Sequence, residues 1–302
     1  MRLPVNQVLE LFDGCVRSVL TYGAEVWGFA DIEPIERFHR CAVKRLLKVR
    51  MNTHNVMTYG ETGVFPIGIH VATRMCGYWA RLITGKQSKL SFIMYRLVRS
   101  MHLDQSNDFH SPWIAKVQST LTESGLEHLW QTQPKKIGID NMKLKIRQHL
   151  EKAFILRWHA EKAASDTCSQ YHLFKHDFKL EPYLLKAKYG QRIDLARFRC
   201  RSNFTPIANL MQYINARQHT KACPMCRFEP ADEPHYLFYC PYFEVHRPRL
   251  IYPLVESVYD MNINFLMSIE DPARLKKLAT FIGIVLDIFQ YRVTRYPGIF
   301  PD

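Results

Sequence analysis

DIEPIERFHRCAVKRLLKVR, residues 31–50, sets the class of this chain. Asp31 stands before an acidic first turn, and the stretch ends in cations, the polarity that a helix dipole favours. At about 100° per residue, Ile35, Phe38, Ala42, Leu46 and Val49 share one side of such a helix. Arg37, Arg40, Lys44 and Lys48 line the other as a cationic rail. No acid follows Glu36 until Glu61, so the i,i+4 partners that usually neutralise a solvated face are missing from this one.

The same period recurs in both directions. Upstream, Val5, Val8, Leu9, Phe12, Val16, Val19 and Leu20 step by three and four, which predicts a half-buried helix ending near Tyr22-Gly23. Downstream, Gly60, Gly63, Pro66 and Gly68 read as a linker, followed by helical patterns over 69–83 and 88–101. Ser111-Pro112 reads as a cap and first helical position. A long helix is expected from Asp140 to about Ala164, with Met142, Ile146, Leu150, Phe154 and Trp158 inside and Lys143, Arg147, Lys152 and Arg157 outside. The basic piece 171–201 puts Arg197, Arg199 and Arg201 at alternate positions. A closing helix within DPARLKKLATFIGIVLDIFQYR (271–292) should bury Leu278, Phe281, Ile282, Val285 and Phe289. Strand alternation is nearly absent, and the expected class is mostly α: a multi-helical body with a small C-terminal zinc-knuckle subdomain. The boundaries expected are 1–165 for the body, 166–250 for the basic segment and knuckle, and 251–302 for the closing helices.

The chain has 302 residues, is 47% hydrophobic, and carries 41 Lys+Arg against 28 Asp+Glu, a formal charge of +13. That is enough apolar material for one large or two modest cores. The cationic surplus points to a polyanionic partner, although many basic proteins bind none. The first residues lack the apolar core of a secretory signal. The longest apolar run, around FIGIVLDIF, is too short for a bilayer and contains Asp287. A soluble nuclear or cytoplasmic protein, not a secreted one, is expected, and its thiols should face a reducing compartment.

There, clustered cysteines suit a metal better than disulfides. CPMCRFEPADEPHYLFYC (223–240) holds three cysteines and one histidine spaced C-x2-C-x8-H-x4-C. Cys223, Cys226, His235 and Cys240 read as one tetrahedral, structural zinc set. A redox C-x2-C would need a thioredoxin-like strand-helix setting, which this stretch lacks. A catalytic zinc would need an open position, and four protein ligands leave none. One requirement is set by geometry. On an ideal helix, residues five apart differ by about 140°, so His235 and Cys240 share a metal only if the segment bends or ends between them. Tyr236, Phe238, Tyr239, Tyr242 and Phe243 surround the site, with Arg247 and Arg249 beyond. They form either a small core or, where exposed, a surface that stacks on unpaired bases.

Two stretches carry a family resemblance. LFDGCVRSVLTYGAEVWG (11–28) resembles a segment downstream of the reverse transcriptase domain in LINE-type non-LTR retrotransposon polyproteins. LARFRCRSN (195–203) with CPMC…DEPHYLFYCPYFEVHR (223–247) resembles the C-terminal zinc-binding region of the same proteins. The matches stand in the family's order and cover about a quarter of the chain. Ser18 occupies a place where the family often has proline. The resemblance implies thumb-side helices and a CCHC region that helps bind RNA template and DNA target, with Cys223, Cys226, His235 and Cys240 as ligands. The family's catalytic carboxylates have no counterpart, since the sequence contains no adjacent Asp-Asp pair. Neither a nuclease constellation nor a glycine-rich phosphate loop stands out.

The reading is therefore a module that binds RNA or DNA with low sequence specificity and is not an enzyme on its own. Its contacts would be Arg37, Arg40, Lys44, Lys48, Lys143, Arg147, Arg197, Arg199, Arg201 and Arg247. The alternatives are a helical interaction or structural remnant, and part of an active polymerase whose palm lies upstream.

Overall fold

The computed structural model describes residues 3–104, 106, 108–202, 223, 225–228, 232–257 and 261–295. Among these no strand forms, apart from an isolated antiparallel bridge between Thr62 and Leu180. In chain order the helices are α1 (Val5–Leu11), α2 (Ser18–Leu20), α3 (Ala24–Trp27), α4 (Glu33–Leu47), α5 (Asn55–Thr62), α6 (Ile67–Thr84), α7 (Leu90–Leu103) and α8 (Pro112–Glu123). They continue with α9 (Glu127–Thr132), α10 (Ile139–Ala164), α11 (Ser169–Phe174), α12 (Tyr183–Lys186), α13 (Tyr189–Arg199), α14 (Arg247–Leu250), α15 (Ile263–Met267) and α16 (Pro272–Arg295). The chain forms two compact units, one from 9–40 and 65–157, the other from 1–8, 41–64 and 158–302. Among the described residues no helix is long and apolar enough to cross a membrane.

In the first unit, α6 is the central helix. Its buried Ile67, Val71, Met75, Trp79 and Ile83 gather Ala24 of α3, Ile114, Val117 and Leu121 of α8, Trp130 of α9, and Met142 and Ile146 of α10. The α3 contact is close: a Cβ on Gly28 would lie 2.5 Å from Val71 and 2.8 Å from Met75. The indole of Trp79 donates to the Tyr95 hydroxyl at 3.0 Å, and that hydroxyl donates to Gln133 at 2.8 Å, so the polar ends of both rings are satisfied inside the core. Ser111 caps α8 by accepting from the Ile114 amide, and Pro112 opens the helix, as their order predicts.

The second unit centres on α5, whose residues from Val56 to Thr62 are all buried. Gly60 and Gly63 are not a flexible linker. A Cβ on Gly60 would sit 2.4 Å from the Tyr171 hydroxyl and 2.8 Å from Trp158, so glycine is there for close approach. Gly63, at φ 63°, terminates α5 in the left-handed conformation. Helix α13 packs on α16, whose Leu278, Phe281, Ile282, Val285 and Phe289 are all buried, as their period predicts.

Two helices depart from the simple period. Along α4 the buried positions are Glu36, His39, Val43, Lys44 and Leu47, while Phe38 is half exposed. Polar bonds turn the helix: Glu36 accepts from the Gly68 amide at the start of α6 at 2.7 Å, and the Lys44 ammonium reaches back to the Met51 carbonyl at 2.8 Å. The N-terminal run contains a π-helical stretch, Phe12–Arg17, which shifts the register and leaves Val19 and Tyr22 exposed.

The second unit is tied together by a buried ionic network. The Arg199 guanidinium donates to both oxygens of Glu61 at 2.8 and 3.2 Å, to Glu181 at 2.8 Å and to the Met267 carbonyl at 2.9 Å. Lys175 pairs with the other oxygen of Glu181. Burial alone would raise the pKa of Glu61, but the charges of Arg199 and Lys175 outweigh it and hold the carboxyl below its usual range. Because the folded pKa is depressed, this stabilisation is present above the unfolded carboxylate range and is lost as pH falls through the folded value. Glu61→Gln should cost about 3–5 kcal/mol, as for removal of one partner from a buried pair. Denaturant titrations at neutral and acidic pH should show the gap between variant and wild type closing as Glu61 protonates.

Candidate metal centre

The turn between Cys223 and Cys226 is closed by two backbone bonds: the Arg227 amide donates to the Cys223 carbonyl at 2.7 Å, and the Cys223 amide to the Phe228 carbonyl at 2.8 Å. Arg227 takes φ 68° to complete it. Pro230, within the long spacer, lies outside the described residues, as do residues 215–222, which the sequence placed in the same subdomain.

The far side answers the requirement set by the five-residue separation. Residues His235–Tyr239 form a π-helical turn, and the Cys240 amide donates to the His235 carbonyl at 2.8 Å. An i→i+5 bond brings residues five apart back to one side of the turn, where an α-helix would splay them. Pro234 and Pro241 flank this turn, and Asp232 caps its start by accepting from the His235 amide at 2.9 Å.

As a result, one ligand atom from each of Cys223, Cys226, His235 and Cys240 lies within 4.8 Å of the others. Cys223 Sγ is 3.8 Å from Cys240 Sγ, and Cys226 Sγ is 3.3 Å from His235 Nε2. A disulfide requires about 2.05 Å, so all four are free to ligate. Cys223, His235 and Cys240 are buried, and Cys226 is partly so. The Cys240 thiol and the amides of Cys226 and Met225 all hydrogen bond to Cys223, pushing its pKa down to about 5. The set thus offers a ready thiolate with its donors already folded around it. It is a site that can hold one metal ion with four protein ligands.

Two arginines support the site, and neither role is legible from spacing. Arg247 is fully buried. It donates to the carbonyls of Leu237 at 2.9 Å, Cys240 at 2.8 Å and Tyr236 at 3.4 Å, and to Glu244 at 2.6 Å. It therefore fixes the π turn that carries two ligands. Arg201, with φ 50° just beyond α13, clamps Glu233 through both carboxylate oxygens at 3.0 and 2.9 Å. Tyr236 and Phe243 complete the support by packing edge-on against Phe289 and Phe281 of α16.

The ten cations named as nucleic-acid contacts divide sharply. Arg199 and Arg247 are buried and bonded internally, and Lys44 is buried with its ammonium on a carbonyl, so none of the three offers its charge to a partner. Arg40 folds back two turns onto Glu33, and Arg201 is committed to Glu233. Arg197 donates to the Lys48 carbonyl at 3.0 Å. Lys143 is half-buried, its stem lying over Gly77 and its ammonium 3.9 Å from Asp140. Arg37, Lys48 and Arg147 are exposed, the last paired with Glu151 at 2.9 Å. Around the knuckle, Arg227, Phe228, Tyr239, Tyr242 and Arg249 are exposed as well, whereas Tyr236, Phe238 and Phe243 are core.

Arg247→Met should destabilise the second unit by about 3–5 kcal/mol, because three buried carbonyls lose their donor. Denaturant melts followed by tyrosine fluorescence would measure it, with Arg249→Met, at an exposed position, as a control expected near zero.

No protein-family model, curated protein or solved structure matches this chain.

Proposed function

We propose that this chain is a nucleic-acid-binding part of a non-LTR retrotransposon-type reverse transcriptase, without a catalytic palm of its own, and that its Cys/His cluster holds a structural zinc. The convergence of Cys223, Cys226, His235 and Cys240 carries this reading. With zinc–sulfur bonds of about 2.3 Å and a zinc–nitrogen bond of about 2.0 Å, a tetrahedron has sulfur–sulfur edges of about 3.8 Å and sulfur–nitrogen edges of about 3.5 Å. The separations of 3.8 and 3.3 Å lie close to those edges. Four protein ligands fill the tetrahedron, so the ion's work is to fix the fold rather than to activate water.

The surface of the knuckle supports the choice of partner. Phe228, Tyr239 and Tyr242 expose rings between the cations Arg227 and Arg249, the combination on which unpaired bases stack while phosphates are neutralised. Arg37, Lys48 and Arg147 add exposed charge elsewhere, and the overall charge of +13 favours a polyanion from a distance. Cations of this kind position a backbone and carry little base information, so low sequence specificity follows for RNA and DNA alike. The family resemblance of residues 11–28 and 195–247 points to the same partner.

Fluorescence anisotropy with labelled single strands and duplexes tests the reading. If about five phosphates are engaged, log affinity for duplex DNA should fall against log salt with a slope of roughly −4 to −5. Tyr239→Ala and Tyr242→Ala should each cost about 1–3 kcal/mol on single strands, and chelation should weaken single-strand binding while raising amide exchange over 232–246. A salt-independent affinity, or none, would remove the proposal.

A further inference from the structure

We propose that α7 is a docking rail for an amphipathic helix with acidic flanks, supplied by a protein partner. Leu90, Met94, Leu97 and Met101 follow the 4-3-4 spacing of a coiled-coil seam. Together with Ile93 they fall within an arc of about 100° on one helix side. Every one of the five is between 38% and 72% exposed. The opposite side of the same helix is already in the core, where Tyr95 is buried against Trp79 and the Arg99 guanidinium lies 5.2 Å from the Trp130 ring centroid. The helix is thus apolar on two sides, and packing within its own unit accounts for only one.

Charge names the occupant. Residues 62–103 contain no Asp or Glu. Of the six cations in that span, Arg74 is paired with Glu25, Arg81 lies over Tyr78 and Arg99 over Trp130. The other three, Lys86, Lys89 and Arg96, are exposed just before the seam or along its edge, and none has an acidic partner among the described residues. Aliphatic side chains flanked by unpaired cations match a helix whose own seam is Leu-rich and whose edges carry Glu or Asp. A nucleic acid would leave the aliphatic stripe uncovered, because bases stack on aromatic rings rather than on leucine. A second copy would set one acid-free surface against another. Helices that lie in a lipid interface set an apolar face of Trp, Phe or Leu against a strongly charged polar face, whereas the side of α7 opposite this stripe is packed into the core through Tyr95. Met94 and Met101 add an unbranched, adaptable surface that tolerates partners of differing shape.

A binding titration of the full chain decides the matter. The probe is a fluorescent designed helix of about three heptads with leucine at a and d and glutamate at e and g, compared with an otherwise identical lysine-flanked helix. Vesicles of phosphatidylcholine with phosphatidylserine, and sedimentation of the chain alone, form the other arms. The glutamate helix should bind, the lysine helix at least roughly tenfold more weakly, and Leu97→Glu should lose roughly tenfold with an unchanged circular dichroism spectrum. The double charge reversal Lys89→Glu with Arg96→Glu, at two exposed positions, should invert the preference between the two helices. Equal binding of both helices, no effect of the charge reversal, retention on vesicles without peptide binding, or self-association abolished by Leu97→Glu would each overturn the proposal. None of these arms involves nucleic acid or metal, so their outcome is separate from that of the knuckle.

Discussion

A single guanidinium holds the knuckle open to metal. Arg247 gives up all contact with water to bond three carbonyls of one turn, those of Tyr236, Leu237 and Cys240. A charge buried this way is costly unless its donors are satisfied, and here the π turn supplies the acceptors while the arginine fixes the turn. Without the i→i+5 closure, His235 and Cys240 would diverge, and without the strut the closure would have no reason to persist. The convergence of the four side chains thus rests in part on protein bonds, those of Arg247 and of the turn itself, on a frame that α16 anchors through Phe281 and Phe289.

Much of this was readable in the sequence. The mostly α class, the interior edge of α10 through Met142, Ile146, Phe154 and Trp158, the Ser111-Pro112 start and the buried edge of α16 all follow from apolar period and capping chemistry. The grouping of Cys223, Cys226, His235 and Cys240 follows from cysteine and histidine spacing alone, and the bend that it demanded is the π turn. Period failed where polar bonds outweighed it. Helix α4 turns its Glu36 and His39 inward because Glu36 finds a helix N-terminus to cap, and no hydrophobicity pattern encodes that. Gly60 and Gly63 resembled a linker because glycine signals both freedom and closeness, and only the approach of Trp158 and Tyr171 distinguishes them.

Arginines were the least legible residues. From sequence, Arg197, Arg199, Arg201 and Arg247 look like one cationic surface near the knuckle. In the fold Arg199 and Arg247 are interior struts, Arg201 a clamp on Glu233, and Arg197 a link to the end of α4. For Arg199 the distinction depends on carboxylates 18 and 138 residues away and for Arg197 on a carbonyl 149 residues away, which no local window contains. The exposed cations and rings that remain, from Arg227 to Arg249, are the surface on which a nucleic-acid reading now stands, and the acid-free seam of α7 is a separate surface with a different chemistry.

The central claim is that four side chains surround one ion. X-ray absorption at the zinc edge on chain purified with zinc measures it directly. The account predicts a single zinc per chain with three sulfur neighbours at about 2.3 Å and one nitrogen at about 2.0 Å. A chain that retains no metal, or a first shell of oxygen and nitrogen without sulfur, would contradict it.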